Sequence, residues 1–198
     1  TVVHRVYAVA QEQKKDLLIH VLGSAPSRQT LVFCKTKHGS DRVGRHLENA
    51  GLSIAVIHGD KTQGARKRAL GDFKTGRVSV LVATDVAARG LDIKDMPVVI
   101  NYDMAMTADV HLHRIGRTGR AGDKGMAWTL CRHDERHRTL AIEELQGTPL
   151  NWQTAAPASG AAKPLTAGMV TLIIDGGRQD KLRPGDLLGA LRPGIDDL

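Results

Sequence analysis

Short apolar runs alternate with helical stretches along the first two thirds of the chain, and this alternation constrains the fold most. The runs TLVF (30–33) and VSVLVA (78–83) are almost wholly apolar, as is typical of strands buried on both faces. The same reasoning predicts further strands at 2–9, 53–57, 98–101 and 126–130. Helices are predicted at 14–22, 63–73, 109–115 and 134–145. Another helix is predicted after the strand at 30–33; it ends at residue 50, with Gly51 as its C-terminal cap. The pattern predicts an α/β fold with a mainly parallel sheet, whose ligands are expected at the carboxyl ends of the strands.

The composition changes at residue 148. Residues 148–168 are rich in Ala, Pro, Gly and Ser and predict a linker after a domain spanning 1–147. Residues 169–198 predict one strand, a turn and one short helix, which are too few to enclose a core. We therefore expect 169–198 to be the truncated start of a second domain. Because the first residue is Thr1, we also expect the chain to be a piece of a longer protein.

The charge of the chain is concentrated in its first domain. The 198 residues carry a formal net charge of +7, whereas the stretch from 148 onwards holds five basic and five acidic residues. A basic domain of this size suggests a polyanionic partner, although simple solubility explains charge equally well. Aromatic residues make up 3% of the chain, so stacking on an aromatic platform is not the expected binding mode.

Cysteine content and hydropathy indicate a cytoplasmic protein. Cys34 and Cys131 both lie in predicted strands, which favours two buried thiols in a reducing compartment over a disulfide. No apolar run approaches the ~18 residues of a membrane span, and no signal peptide opens the chain, so we expect no membrane partner.

The string HRIGRTGRAG (113–122) is the strongest chemical signal. Arg117 and Arg120 lie three residues apart among glycines. Guanidinium groups are permanently charged forks that suit phosphate oxygens, and small neighbours allow close approach to a ligand. Two arginines alone would more often belong to a solvated basic loop, but the whole string favours phosphate recognition.

Three other strings follow predicted strands. ATDVAARGLDI (83–93) places Thr84 and Asp85 at a strand end, with Arg89 able to reach a phosphate and Asp92 able to accept from a sugar hydroxyl. HGDKTQGAR (58–66) combines Gly59, which permits close backbone approach, with Gln63 and Arg66 on one helix face. LVFCKTK (31–37), which ends at Lys37, is weaker and is more often an exposed turn.

These four strings, in this order and spacing, resemble motif IV, the Q-x-x-R motif, motif V and motif VI of the DEAD-box RNA helicases. The resemblance covers residues 1 to about 147 and implies the family's second RecA-like domain, a three-layer sandwich around a mainly parallel sheet. The strings LNWQT (150–154) and VTLIIDGGRQDKLRPGDLLGAL (170–191) resemble a bacterial branch of the family that acts on large-subunit ribosomal RNA, where this region opens an RNA-recognition-like (α+β) domain.

The resemblance implies a role for each matching residue. Arg117 and Arg120 would be arginine fingers that meet the β- and γ-phosphates of ATP, and such a finger is worth ~10³–10⁵ in rate. Asp92 would hold the ATP ribose, with Gly90 beside it. The RNA backbone would be gripped by Lys37, Gly59, Gln63, Arg66, Thr84 and Arg89. Asp85, His113 and Arg114 would couple the two sites.

Two family motifs are missing from the sequence. It contains no G-x-x-x-x-G-K-[ST] string to cradle phosphates and no DEAD string to hold Mg²⁺. In the family both belong to the N-terminal RecA-like domain, which we expect before Thr1. The chain would then hold half of a composite ATP site and be inactive alone, with RNA and the N-terminal domain as partners.

Several alternatives compete with this interpretation. HDERH (133–137) places two histidines on one helix face, but a third ligand and the Glu of the metalloprotease pattern are lacking, so no metal site is expected. A non-catalytic module that binds RNA or protein would lack ATP chemistry altogether. A helicase acting on DNA is a further rival, because phosphate contacts do not report the 2′-hydroxyl.

Overall fold

A computed structural model describes residues 2–25, 29–89, 91, 93, 95–119 and 124–154. Seven strands are formed by Val2–Ala8 (β1), Thr30–Cys34 (β2), Ile54–Ile57 (β3), Val80–Thr84 (β4), Val98–Asn101 (β5), Gly125–Cys131 (β6) and Asn151–Gln153 (β7). Six helices are formed by Lys14–Gly23 (α1), Lys37–Asn49 (α2), Gln63–Lys74 (α3), Asp85–Ala88 (α4), Ala108–Ile115 (α5) and His137–Gln146 (α6). Single 3₁₀ turns at Gln11–Gln13 and His133–Glu135 precede α1 and α6.

The strands form one sheet in the order β3-β4-β2-β5-β6-β1-β7, and each pairing is parallel. The register aligns Thr30 of β2 with Val80 of β4 and with Val98 of β5. Parallel neighbours need crossover connections, and helices provide them here. All strand ends of one kind therefore lie along one edge of the sheet.

Side chains on the central strands alternate between two apolar layers. In β2, Val32 packs with α1 and α2, whereas Leu31 and Phe33 pack with Phe73 of α3. A third cluster lies under α6, where Val6 of β1 packs with Ile142. A sheet covered on both faces explains why its strands are apolar at nearly every position, and the three layers confirm the expected RecA-like sandwich.

Threonine side chains cap three of the helices that start at the carboxyl edge of the sheet. Thr36, Thr62 and Thr107 each accept a hydrogen bond from the backbone N–H three residues later, at the starts of α2, α3 and α5. Gly51 follows α2 with a φ of 81°, the left-handed conformation expected of a C-terminal cap. The caps fix where each chain segment leaves the edge that carries the predicted RNA contacts.

The predicted strands and helices of 2–145 are confirmed, with two additions. The four-residue helix α4 was not predicted, and the sheet continues past residue 147, because Asn151–Gln153 pair with β1 inside the predicted linker. The end of α6 at Gly147 therefore does not end the sheet. The domain boundaries at 147 and 168 stay predictions, and the predicted tail elements lie outside the described residues.

Candidate functional site

A buried ion pair between Asp85 and Arg114 lies at the centre of the predicted site. Arg114 Nε donates to Asp85 Oδ1 at 2.6 Å, and Nη2 donates to Oδ2 at 2.7 Å. Only 3% of the Arg114 side chain is exposed, compared with 26% for Asp85. The pair joins the last helix turn before the arginine loop (residues 116–119) to the carboxyl end of β4. Two residues predicted to couple the sites are thus in direct contact.

Further polar groups hold the Arg114 guanidinium in one orientation. Its Nη1 donates to the Asp103 carbonyl at 2.7 Å and to Asn101 Oδ1 at 3.2 Å, and its carbon lies 5.1 Å from the centre of the Phe33 ring. Four hydrogen bonds and a ring contact compensate for burial of the charge. Helical side chains tilt toward the helix N-terminus, so Arg114 reaches back from the end of α5 to the carboxyl edge. His113, the third predicted coupling residue, is exposed.

The polar network continues under the sheet through residues that the sequence analysis did not identify. Asn101 Nδ2 donates to Thr129 Oγ1 at 3.0 Å, and His4 Nε2 lies 2.9 Å from the same oxygen. The centre of the His4 ring lies 4.8 Å from that of the His111 ring, and the two rings are tilted by 44°. Burial lowers the pKa of His4 to about 4 and that of His111 to about 3, so both rings are neutral near pH 7.

The predicted RNA-contacting residues gather at the carboxyl ends of three adjacent strands. Lys37 follows β2, Gly59 follows β3, and Thr84 ends β4. Lys37 and Gly59 are exposed, whereas Thr84 is buried. The sheet order, which the sequence did not reveal, brings these positions side by side.

Helix α3 adds two more predicted contacts to this edge. Arg66 Nη2 donates to the Ala87 carbonyl of α4 at 3.2 Å, and its Nη1 donates to Gln63 Oε1 at 3.5 Å. The first bond ties the start of α3 to the turn that ends in Arg89, whose side chain is exposed together with that of Gln63. We call the edge formed by Lys37, Gly59, Gln63, Arg66, Thr84 and Arg89 the phosphate track.

Acidic side chains form ion pairs with cationic side chains at and beside the phosphate track. Lys37 Nζ lies 2.7 Å from Asp60 Oδ2, and this hydrogen bond lowers the pKa of Asp60. Partial burial opposes ionisation of Asp41, but hydrogen bonds from His58 and Lys61, at 3.0 and 3.1 Å, hold its pKa below the usual value. An anion that bound Lys37 would therefore compete with the Asp60 carboxylate.

The arginine loop lies at the opposite, amino end of the sheet. Met96 N donates to the Arg117 carbonyl at 2.9 Å, and Thr118 Oγ1 donates to the Met96 carbonyl just before β5. Arg117 Nη1 donates to the carbonyls of Leu91 and Ile93 at 3.3 and 3.4 Å. These bonds aim Arg117 beside the segment that carries the predicted ribose contact. Gly90, Asp92 and Arg120 lie outside the described residues.

A buried lysine forms a second ionic cluster that the sequence analysis missed. Lys14 Nζ lies 3.4 Å from Asp103 Oδ1, 3.8 Å from Glu135 Oε2 and 5.2 Å from the centre of the Tyr102 ring. Its side chain is fully enclosed, although lysine is normally a surface residue. Since Asp103 also accepts from Lys35 N at 2.9 Å, this cluster fixes the carboxyl ends of β2 and β5 relative to α1.

The two cysteines and the possible metal ligands are further groups of chemical interest in the described residues. Cys34 and Cys131 are both buried and free, and burial raises the pKa of each thiol, to about 11 for Cys131. Across the described ranges, no group of three His, Cys, Asp or Glu side chains could hold a metal ion. No helix among the described residues is long and apolar enough to cross a membrane.

Comparison with protein families identifies one domain. The model of the helicase conserved C-terminal domain matches residues 13–122. The chain is 44% identical over 185 residues to the ATP-dependent RNA helicase DbpA of Escherichia coli (strain K12), a match that covers 93% of this chain and 40% of DbpA. It is 56% identical over 104 residues to DEAD-box ATP-dependent RNA helicase 30 of Arabidopsis thaliana, covering 52% of this chain and 18% of that protein. The chain thus spans less than half of these relatives.

Solved structures of similar domains agree. The E. coli DEAD-box protein SrmB, solved bound to the regulator of ribonuclease activity A, superposes with a TM-score of 0.71 at 36% identity, over 76% of this chain and 88% of that one. The C-terminal domain of the DEAD-box protein Dbp5 gives a TM-score of 0.69 at 30% identity, over 77% of this chain and 90% of that one.

Proposed function

Since this chain belongs to the DEAD-box helicases and carries their C-terminal RecA-like domain, we propose that it is the C-terminal half of an ATP-dependent RNA helicase core. It would bind the RNA backbone along the phosphate track and supply arginine fingers to ATP held by an N-terminal RecA-like domain. Hydrolysis would be coupled to local opening of an RNA duplex.

The Asp85–Arg114 pair is the observation that carries this proposal. Asp85 directly follows Thr84 of the track, and Arg114 stands three residues before Arg117. Two hydrogen bonds at 2.6 and 2.7 Å leave little freedom between them. A displacement of the track by RNA would therefore be transmitted to the arginine loop, which suits a protein in which RNA binding activates ATP hydrolysis.

The residues of the arginine loop fit a nucleotide that arrives from another domain. Arg117 engages carbonyl groups through Nη1, and its other donors would stabilise the charge that grows on the phosphates during transfer. Arg120 would act with it, while Asp92 and Gly90 would hold the ribose. Mg²⁺ would be held by the N-terminal domain.

Ribosomal RNA of the large subunit is the substrate that we propose, in ribosome assembly in the cytoplasm. The support is the similarity to DbpA over 93% of this chain, which extends beyond the helicase domain into the tail. Phosphate contacts alone do not separate RNA from DNA; the names of the relatives favour RNA.

ATP turnover in the presence of RNA tests the proposal. We expect no turnover by this chain alone and measurable turnover once a DEAD-box N-terminal RecA-like domain is added. Arg117→Ala should lower that turnover by about 10³ or more, while RNA binding without nucleotide stays unchanged.

Arg77→Ala is the matched control, because Arg77 is an exposed arginine that pairs with Asp72 and belongs to neither the phosphate track nor the arginine loop. Near-normal turnover of Arg117→Ala would refute the finger assignment. RNA binding without turnover under any condition would instead support a non-catalytic binding module. Turnover by the chain alone, abolished by Arg117→Ala, would place a complete nucleotide site within it.

A further inference from the structure

A second basic concavity adjoins the phosphate track. It encloses about 220 Å³ at the carboxyl ends of β2, β5 and β6. Four cationic side chains line it, namely Lys15 of α1, Lys35, Arg42 of α2 and Arg132. Lys15, Arg42 and Arg132 lie outside the four strings of the sequence analysis, and Lys35 lies within LVFCKTK (31–37), where only Lys37 was assigned an RNA contact. We call this concavity the basic pocket.

The two carboxylates that line the basic pocket already have cationic partners. Asp103 and Glu135 lie 3.4 and 3.8 Å from the buried Lys14, which is not itself part of the lining. Glu135 also lies 3.5 Å from Arg132 Nε. In the part of the chain that the structure describes, neither carboxylate forms an ion pair with Lys15, Lys35 or Arg42.

Three of the cations are available to a ligand. Arg132 is held by Asp134 at 2.6 Å, but in the part of the chain that the structure describes no ion pair holds Lys15, Lys35 or Arg42. Arg42 lines the pocket together with Tyr102, and its side chain is exposed. Unpaired cations in a concave site concentrate positive potential and attract anions.

The basic pocket continues the track along the same edge of the sheet. Lys37 turns toward β3, where it pairs with Asp60, whereas Lys35 lines the pocket. Only Thr36, which also lines the pocket, separates the two lysines. Because β5 and β6 follow β2 in the sheet, the far wall of the pocket lies about 10 Å from the track. A strand bound on the track would reach the pocket with its next nucleotides.

We propose that the basic pocket binds a backbone phosphate of single-stranded RNA immediately beyond the nucleotides held by the phosphate track. The inference rests on the proposed function, since it extends that RNA path. Lys35 and Arg42 supply the charge, and the enclosed volume leaves room for a phosphate group with part of its hydration.

Salt-dependent binding of labelled single-stranded RNA to the 198-residue chain tests the pocket. Each phosphate contact to a single strand adds about 0.7 to the slope of log affinity against log salt concentration. Arg42→Gln should therefore lower the slope by about 0.7 for an oligonucleotide long enough to cover both regions. A shorter oligonucleotide that fills only the track should bind with an unchanged slope. Lys35→Gln should behave in the same way.

Arg45→Gln is the matched control. Arg45 is exposed on α2, the helix that carries Arg42, and it does not line the pocket. Its substitution removes the same charge as Arg42→Gln. If Arg42→Gln and Arg45→Gln lower the slope equally, the effect comes from general surface charge and the proposal is wrong. If Arg66→Gln weakens binding and Arg42→Gln does not, the pocket proposal fails while the proposed function stands. If the unaltered chain binds no RNA, the proposed function itself fails.

A thermal shift with inorganic phosphate alone distinguishes a free anion from a backbone phosphate. Stabilisation by phosphate that Arg42→Gln abolishes, together with an unchanged RNA slope, would assign the pocket to a free anion and refute the RNA assignment. A lowered RNA slope supports the proposal whether or not free phosphate binds.

Discussion

Replacing Asp85 by Asn should destabilise the domain strongly, because its partner Arg114 is buried although Asp85 itself is partly exposed. Asp85→Asn keeps the shape of the side chain but removes the charge that faces Arg114, whose side chain is 3% exposed. Loss of one partner of a buried pair costs ~3–5 kcal/mol, because the other charge is left uncompensated. Since a quarter of Asp85 reaches solvent, we expect the lower end, about 3 kcal/mol.

Urea unfolding followed by tryptophan fluorescence measures this loss, because Trp128 is buried in the core. The midpoint should fall with an unchanged slope, which indicates a change of stability and not of the surface exposed on unfolding. For a chain of this length, about 3 kcal/mol corresponds to a fall in Tm of roughly 6–12 °C.

Asp72→Asn provides a close control. Asp72 is 28% exposed, compared with 26% for Asp85, and it accepts from Arg77 Nη2 at 2.6 Å. The difference lies in the arginine, because the Arg77 side chain is 67% exposed. An exposed pair contributes at most ~1 kcal/mol. Equal losses for Asp85→Asn and Asp72→Asn would refute the argument that burial of Arg114 determines the effect.

Two further changes test the surroundings of the site. In the same urea assay, Gly125→Ala should destabilise the domain by about 2 kcal/mol, because the added Cβ would overlap Thr118 Oγ1 and the backbone of the arginine loop. Gly71→Ala is the control: its added Cβ meets open space within α3, so it should stabilise the domain by about 0.5–1 kcal/mol. Acidification below about pH 6.5 should destabilise the domain by about 1.4 kcal/mol per pH unit for each of His4 and His111, since burial holds their folded pKa near 4 and 3 and the unfolded chain then binds more protons. His111→Phe should remove about half of that dependence, and an unchanged dependence would contradict it.

The layered fold could be predicted because its signals are local. The runs in β2 and β4 are buried at each position, and continuous apolar runs require such burial. Helix α4 has four residues, too few to show a helical period. Strand β7 has three, and its pairing with β1 depends on residues about 146 positions away. Periodicity carries no information on either element.

The polar network could not be predicted for the same physical reason. His4 and Thr129 are 125 positions apart, and neither has a neighbour in sequence that marks it as polar core. Lys14 begins a helix next to another lysine, a pattern that predicts a solvated face, yet Asp103 and Glu135 enclose it. Arg114 was identified only through the family resemblance, since composition does not distinguish it from the other arginines.

The phosphate track and the arginine loop lie at opposite ends of the sheet, and Arg114 lies between them in the chain of contacts. Thr84 and Asn101 mark the carboxyl edge, whereas Met96 pairs with the arginine loop near the amino end of β5. Asn101 lies five positions after Met96, a span of about 16 Å in an extended strand. Arg114, near the end of α5, reaches back toward the carboxyl edge, where its guanidinium donates two hydrogen bonds to Asp85. In the proposed coupling, a displacement of Asp85 by RNA would pull on Arg114 and, through α5, would move Arg117. Such coupling through a buried contact would need no flexible relay between the two proposed sites.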